Sequence, residues 1–128
     1  MRTALFAALV SLAVTLPGCT GASPTRATAP TGQPIQMAQG ELISLPGGAT
    51  LRYVEVAADS RCPPGVQCIR AGDADVVFEF TESAKTARRI TINTDPPATA
   101  TLGKWHLRLL ALAFGASPKA TVQIDPAN

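Results

Sequence analysis

An all-β domain, a small antiparallel β-sandwich or open barrel of about six to seven short strands, is the fold class that this sequence predicts. Three observations carry the prediction. Short runs rich in β-branched and aromatic residues recur between Gly and Pro turn signals. Several of these runs alternate apolar and polar residues with period two, the pattern of a half-buried strand. The residues so aligned (Leu51, Val56, Val76, Phe78, Phe80, Ile90, Ile92, Leu107, Leu109 and Val122) suffice for one modest core, as expected of a single small domain.

The elements follow in chain order. Glu41 to Leu45 reads as a first strand, closed by the turn signal Pro46-Gly47-Gly48. Thr50 to Ala57 is dense in β-formers, with Tyr53, Val54 and Val56. Asp75 to Thr81 puts Val76, Phe78 and Phe80 on one face and Val77 and Glu79 on the other. Arg89 to Thr94 turns Ile90 and Ile92 inward. Lys104 to Phe114 alternates through Trp105, Leu107, Leu109 and Ala111 against His106 and Arg108. Its Leu110-Ala111-Leu112-Ala113 stretch also suits a helix, and strand is the favoured reading. Ala120 to Ile124 closes the domain, with Val122 and Ile124 on one face.

Ahead of these strands lies a different kind of text. Met1-Arg2-Thr3 is a short positive start, and Ala4 to Leu16 is an apolar run interrupted only by Ser11 and Thr15. The run falls short of the about 20 apolar residues that a spanning helix needs, and its layout is that of a secretory signal peptide. Its end, Leu16-Pro17-Gly18-Cys19, resembles the lipobox of bacterial lipoproteins. The resemblance implies cleavage after Gly18 and a diacylglyceryl group on the Cys19 thiol, with Pro17 a less usual neighbour. Two acyl chains give stable attachment where one gives only marginal binding. The expected location is therefore the cell membrane or outer membrane, lipid-anchored, with the domain facing the periplasm or the extracellular side. Thr20 stands where an inner-membrane retention signal often has Asp, which favours the outer membrane where a cell has one.

Residues 19–38 are rich in Thr, Pro, Ala, Gly and Ser, with Pro24, Pro30 and Pro34. Such a stretch buries too little apolar surface to offset its ordering entropy, and it is expected to form an extended tether. The organisation expected is thus a signal peptide over 1–18, a tether over 19–38 and a β-sandwich over 39–128. With Arg2 set aside, ten basic residues face nine acidic ones, scattered except for Arg88-Arg89. No clustered basic face of the kind that releases phosphate counterions is visible, so no nucleic-acid partner is expected.

With Cys19 taken by lipid, Cys62 and Cys68 remain. An even remainder in an exported protein reads as a disulfide, and the turn Pro63-Pro64-Gly65 can bring the two together. So short a ring predicts about 2 kcal/mol of stabilisation. The surrounding text, Val54-Glu55-Val56, Asp59-Ser60-Arg61-Cys62-Pro63, Val66-Gln67-Cys68 and Ala71-Gly72, resembles a recurrent pattern in small uncharacterised bacterial lipoproteins and exported proteins. In that family a strand ends in the Asp-Ser-Arg-Cys-Pro loop, a second cysteine follows, and the next strand begins. The closing strands would be Trp105-His106-Leu107-Arg108-Leu109 and Val122-Gln123-Ile124. The family commonly has Trp where Arg70 stands here, so either the Arg70 stem replaces that packing or the packing differs. The resemblance implies a fold and no activity.

No residue pattern points to catalysis. Zinc or copper would require further ligands beside Cys62 and Cys68, and the only histidine is His106. A redox pair is usually Cys-x-x-Cys at a helix start. Ser44, Ser60, Ser83 and Ser117 all lie outside a nucleophile-elbow context. Asp59 is expected to cap the turn and Arg61 to pair with a carboxylate or span carbonyls. Asp73 and Asp75 lack the other oxygens of a calcium loop, and Trp105 is expected in the core. The function expected is that of a non-enzymatic, membrane-anchored binding or structural module, without cofactor or metal. The loop carrying Asp59, Arg61, Pro63, Pro64, Gln67 and Arg70 is the candidate contact to an envelope protein, for instance as an inhibitor of an envelope hydrolase. The alternative is metal or thiol-redox chemistry at Cys62 and Cys68, with His106 as a third ligand.

Overall fold

The structure, a computed structural model, describes residues 28–128. The segments expected to be a signal peptide and lipobox, and Cys19, lie outside the described residues. Eight strands form two antiparallel four-stranded sheets: β1 (Pro34–Met37), β2 (Leu42–Ser44), β3 (Thr50–Asp59), β4 (Ala74–Thr81), β5 (Arg88–Asn93), β6 (Thr99–Leu102), β7 (Trp105–Leu112) and β8 (Ala120–Pro126). One sheet has the order β2-β3-β4-β5 and the other β1-β8-β7-β6. Each sheet is therefore a meander of hairpins, except that β1 joins the far edge beside β8. The chain changes sheet twice, after β1 and after β5. A single 3-10 turn spans Pro46–Gly48, and no α-helix occurs among the described residues.

Period-two patterning decides which faces meet. Val76, Phe78 and Phe80 of β4, Leu51 and Tyr53 of β3, and Leu107, Val122 and Ile124 from the other sheet are all sealed from solvent. They form one cluster with Met37, Leu102, Trp105 and Leu112. Val56 and Ile90, expected in the core, are half-buried and pack against its margin. In β3 the register slips between Tyr53 and Glu55 and again between Val56 and Ala58. Such bulges break strict alternation, which leaves Val56 short of full burial.

Two expectations are corrected. The tether expected through residue 38 ends earlier: Ala29 is buried, Thr28 bridges Ser44, and Pro34–Met37 is a strand paired with β8. Local composition misled here because the segment's stability comes from the β8 edge, which offers unpaired backbone groups some ninety residues later in the chain. Met37 fills the core rather than a tether. In β7 the alternation does not run through Ala111. A bulge between Leu109 and Ala111 inserts one residue, so Leu110 and Ala111 face outward and Leu112 takes the next buried position.

The strand directions give the sandwich two poles. One carries the β3–β4 loop with both cysteines, the β5–β6 crossover and the β7–β8 loop. The other carries the Pro46–Gly48 turn, the β4–β5 turn, the Gly103-Lys104 turn and the point where residue 28 joins the fold.

Candidate interaction surface at the disulfide loop

The β3–β4 hairpin does not stop at Asp59 and Ala74. Two further backbone bonds, Ser60 N to Asp73 O at 2.8 Å and Cys62 N to Ala71 O at 2.7 Å, extend the ladder to the first cysteine. Gly72 permits this extension. Its φ is +66°, and a Cβ there would overlap the Ser60 carbonyl oxygen, so only glycine fits. Cys62 and Cys68 are joined by a disulfide with their Cα atoms 5.9 Å apart. Between them a turn closes with Val66 N donating to Pro63 O. Pro64 supplies the fixed φ of its second position, and Gly65, at φ +78°, the left-handed third.

Arg61 ties this loop to the opposite sheet. Its Nε and Nη2 donate to Asp59 Oδ1 and Oδ2 at 2.9 and 2.6 Å. Nη1 donates to Leu112 O at 2.6 Å and Nη2 to Ala113 O at 3.0 Å. The guanidinium carbon lies 4.2 Å from the centroid of the Phe114 ring. The Arg61 guanidinium holds the Asp59 carboxyl below its ordinary range through their side-chain hydrogen bonds, and the same bonds raise the Arg61 pKa further. Asp59 Oδ1 also accepts from the Arg61 backbone N at 3.1 Å, capping the turn. A second stitch is the Tyr53 hydroxyl, which donates to Pro118 O at 2.8 Å inside the protein. Burial raises the Tyr53 pKa, opposed by the nearby Arg61 charge.

A third cluster fixes the base of the loop. Asn93 Nδ2 donates to Asp73 Oδ2 at 2.6 Å and Asp75 Oδ1 at 2.8 Å, and the Ser60 hydroxyl lies 3.1 Å from Asp73 Oδ1. The two acids thus share an amide. No cluster of three or more metal-ligating side chains occurs among the described residues.

Both of the segments that Arg61 joins expose apolar side chains. Among the described residues the large hydrophobics exposed to solvent are Val66, Ile69, Leu110 and Phe114. All four belong to the two segments that Arg61 joins, and Ile69 is completely exposed at 104%. A shallow hollow of about 100 Å³ beside Arg61 is lined also by Thr94 and Leu109 to Leu112. Pro63, Pro64, Gln67 and Arg70 are also exposed. Arg70 has no ion-pair partner among the described residues, and its side chain is free rather than packed in place of a Trp.

The structure therefore brings Asp59 and Arg61 together, and holds Pro63, Pro64, Gln67 and Arg70 on one loop. It does not bring His106 to the cysteines. His106 pairs across from Thr101 and Asp125 near the start of β7, with Nδ1 3.5 Å from Thr101 Oγ1. The Arg61 anchor is at Leu112, six strand residues further on, or about 20 Å. Sequence reasoning passed over Ile69, Val66, Leu110 and Phe114. Ile69 had a signal, a lone large aliphatic residue between Cys68 and Arg70 in a Pro/Gly loop. Leu110 and Phe114 had none, because their exposure depends on the β7 bulge and on which pole that strand ends. No family model matches the chain, and no curated protein or solved structure is significantly similar to it.

Proposed function

We propose that this protein is a membrane-anchored, non-enzymatic binding module of the cell envelope, held by acylated Cys19, that engages a protein partner through its disulfide-loop pole. The observation that carries the reading is the gathering of the four exposed large hydrophobics on the two segments joined by Arg61. Monomeric proteins rarely group such residues without use. A loop held by a disulfide, a proline turn and an arginine stitch also loses little freedom on binding, which favours affinity.

The chemistry of the loop describes its partner. Arg61 is already neutralised by Asp59, so Arg70 is the free charge between Ser60 and Gly72. The fitting surface is a concave apolar pocket for Ile69 and Val66 with a carboxylate near its rim. A hydrolase cleft is one surface of that kind. Reversible cross-linking in intact cells tests the proposal, followed by purification from membranes and intact-mass analysis. An acyl mass on Cys19 and a discrete envelope protein retained by the native chain, lost with Ile69→Asp and with Arg70→Glu, would support it. An unmodified Cys19 would remove the anchor, and a partner indifferent to both substitutions would remove the surface.

A further inference from the structure

The pole opposite the disulfide loop has its own chemistry. Two adjoining hollows of about 400 and 380 Å³ open there and share Glu82, Lys85 and Gly103 in their walls. Glycines let the turns approach: a Cβ on Gly103 would overlap the Glu82 carboxylate, and one on Gly48 would lie 3.0 Å from Ser83 Oγ. The charge in these walls is one-sided, with Lys85, Arg88 and Lys104 against Glu82 alone. Glu82 is already held by Lys85. Arg88 lies 5.7 Å from the Phe80 ring centroid, and neither it nor Lys104 makes an ion pair among the described residues. Trp105 adds a buried indole Nε1 that has no hydrogen-bond partner. The walls of these hollows carry more cations than carboxylates, a surface complementary to anions, and Asp125 near the end of β8 is not among their lining residues.

The path of the chain says which anion. Residue 28 joins the fold at this pole: Thr28 bridges Ser44 and Ala29 N donates to Ser44 O at 2.8 Å. Cys19 lies nine residues upstream, a span of at most about 30 Å even when fully extended. To bring the disulfide loop to the bilayer, those residues would have to run the full length of a ten-residue strand such as β3, itself about 30 Å long. The pole with Lys85, Arg88 and Lys104 is the one that a lipid on Cys19 keeps against the membrane.

We infer that this pole seats on anionic phospholipid headgroups, with Arg88 and Lys104 facing their phosphates, so that the Cys62–Cys68 loop points away from the bilayer. The inference rests on the anchoring of Cys19 proposed above. It joins the two halves of that reading, because the seat directs the apolar loop toward partners rather than lipid.

Trp105 is the sole tryptophan of the chain and lies at this pole, which makes the test direct. The full-length protein is purified from membranes and reconstituted in vesicles of phosphatidylcholine, alone or mixed with phosphatidylglycerol, each with a trace of dansyl-headgroup lipid. Energy transfer from Trp105 to dansyl should be stronger in the anionic vesicles and should fall with added salt. Lys104→Glu and Arg88→Glu should each lower the seated fraction relative to the unseated one about fivefold or more. Transfer that ignores headgroup charge, or that survives both substitutions, overturns the inference. A Trp105→Phe, Ile69→Trp chain should transfer less than the native one, and greater transfer also overturns it. Inorganic phosphate without vesicles should leave Trp105 emission unchanged; a saturable change would assign the pole to a soluble anion instead. Failure of the anchor itself is distinguishable, since an unacylated chain does not sediment with phosphatidylcholine vesicles. Sedimentation of that chain with phosphatidylglycerol vesicles but not with phosphatidylcholine vesicles would still support the cationic seat.

Discussion

The Arg61 guanidinium sits 4.2 Å above the Phe114 ring while its nitrogens bond the Leu112 and Ala113 carbonyls. One side chain from the β3–β4 loop thereby holds the end of β7 in the other sheet. Lysine cannot reproduce this, because a point ammonium lacks the planar fork and the stacking face. Arg61→Lys should cost about 2 kcal/mol, in the range of hydrogen bonds to charged groups. In a double-mutant cycle Arg61→Ala and Phe114→Ala should couple by about 0.5–1 kcal/mol. Urea unfolding of the four proteins checks both values, and an Arg61→Lys protein as stable as the native one would discount the stitch.

The pairing of Asp59 with Arg61 makes stability depend on pH. Since the folded-state pKa of Asp59 is lowered, the pair's contribution is present above the unfolded carboxylate pKa of about 3.9 and is lost as pH falls through the folded value. The native protein should lose stability below pH about 4 with a component that Asp59→Asn lacks. The two proteins should differ most near neutrality and converge in acid. Unfolding midpoints across that range measure the difference, and parallel curves would deny the linkage.

Gly72 and Gly65 both have positive φ but answer to different constraints. Alanine at Gly72 meets the Ser60 carbonyl as well as the left-handed backbone, whereas nothing lies within 4 Å of a Cβ at Gly65. Gly65→Ala should therefore cost about 1–2 kcal/mol from backbone strain alone, and Gly72→Ala clearly more. Thermal unfolding would rank the two, and equal costs would contradict the close approach.

Removing the disulfide should destabilise the domain without dismantling it. Replacing Cys62 and Cys68 together by Ser should cost about 2 kcal/mol by loop-closure entropy, while the Arg61 stitch keeps the loop's base in place. Tyr53→Phe should cost about 1 kcal/mol by stranding the Pro118 carbonyl. Denaturation of the double variant should remain one cooperative transition at a lower midpoint. Loss of the transition altogether would mean that the fold itself depends on the disulfide.

How much of this was legible depended on whether a residue's fate is decided nearby. Val76, Phe78 and Phe80 announce β4 because alternation is local, and Asp59 and Arg61 announce a turn because they bond each other two residues apart. Strand β1 was invisible, since the half-burial of Ile35 and the burial of Met37 depend on the segment's pairing with the distant strand β8. Strand β6, with only Leu102 as a large apolar residue, was equally hidden. The apolar face of the loop was half legible for the same reason. Ile69 stands out in the text, while Leu110 and Phe114 become part of the surface through a bulge and a strand direction that no local window contains.

The central claim, that the Ile69 loop is a partner-binding surface, is tested most directly by a photo-cross-linking residue placed at position 69 in living cells. Position 114 serves as the second probe, and Thr91, exposed on the outer face of β5, as the control. The account predicts one discrete adduct with the same envelope protein from positions 69 and 114, abolished by Arg70→Glu, and none from position 91. An absence of adducts from position 69, or the same adducts from position 91, would contradict it.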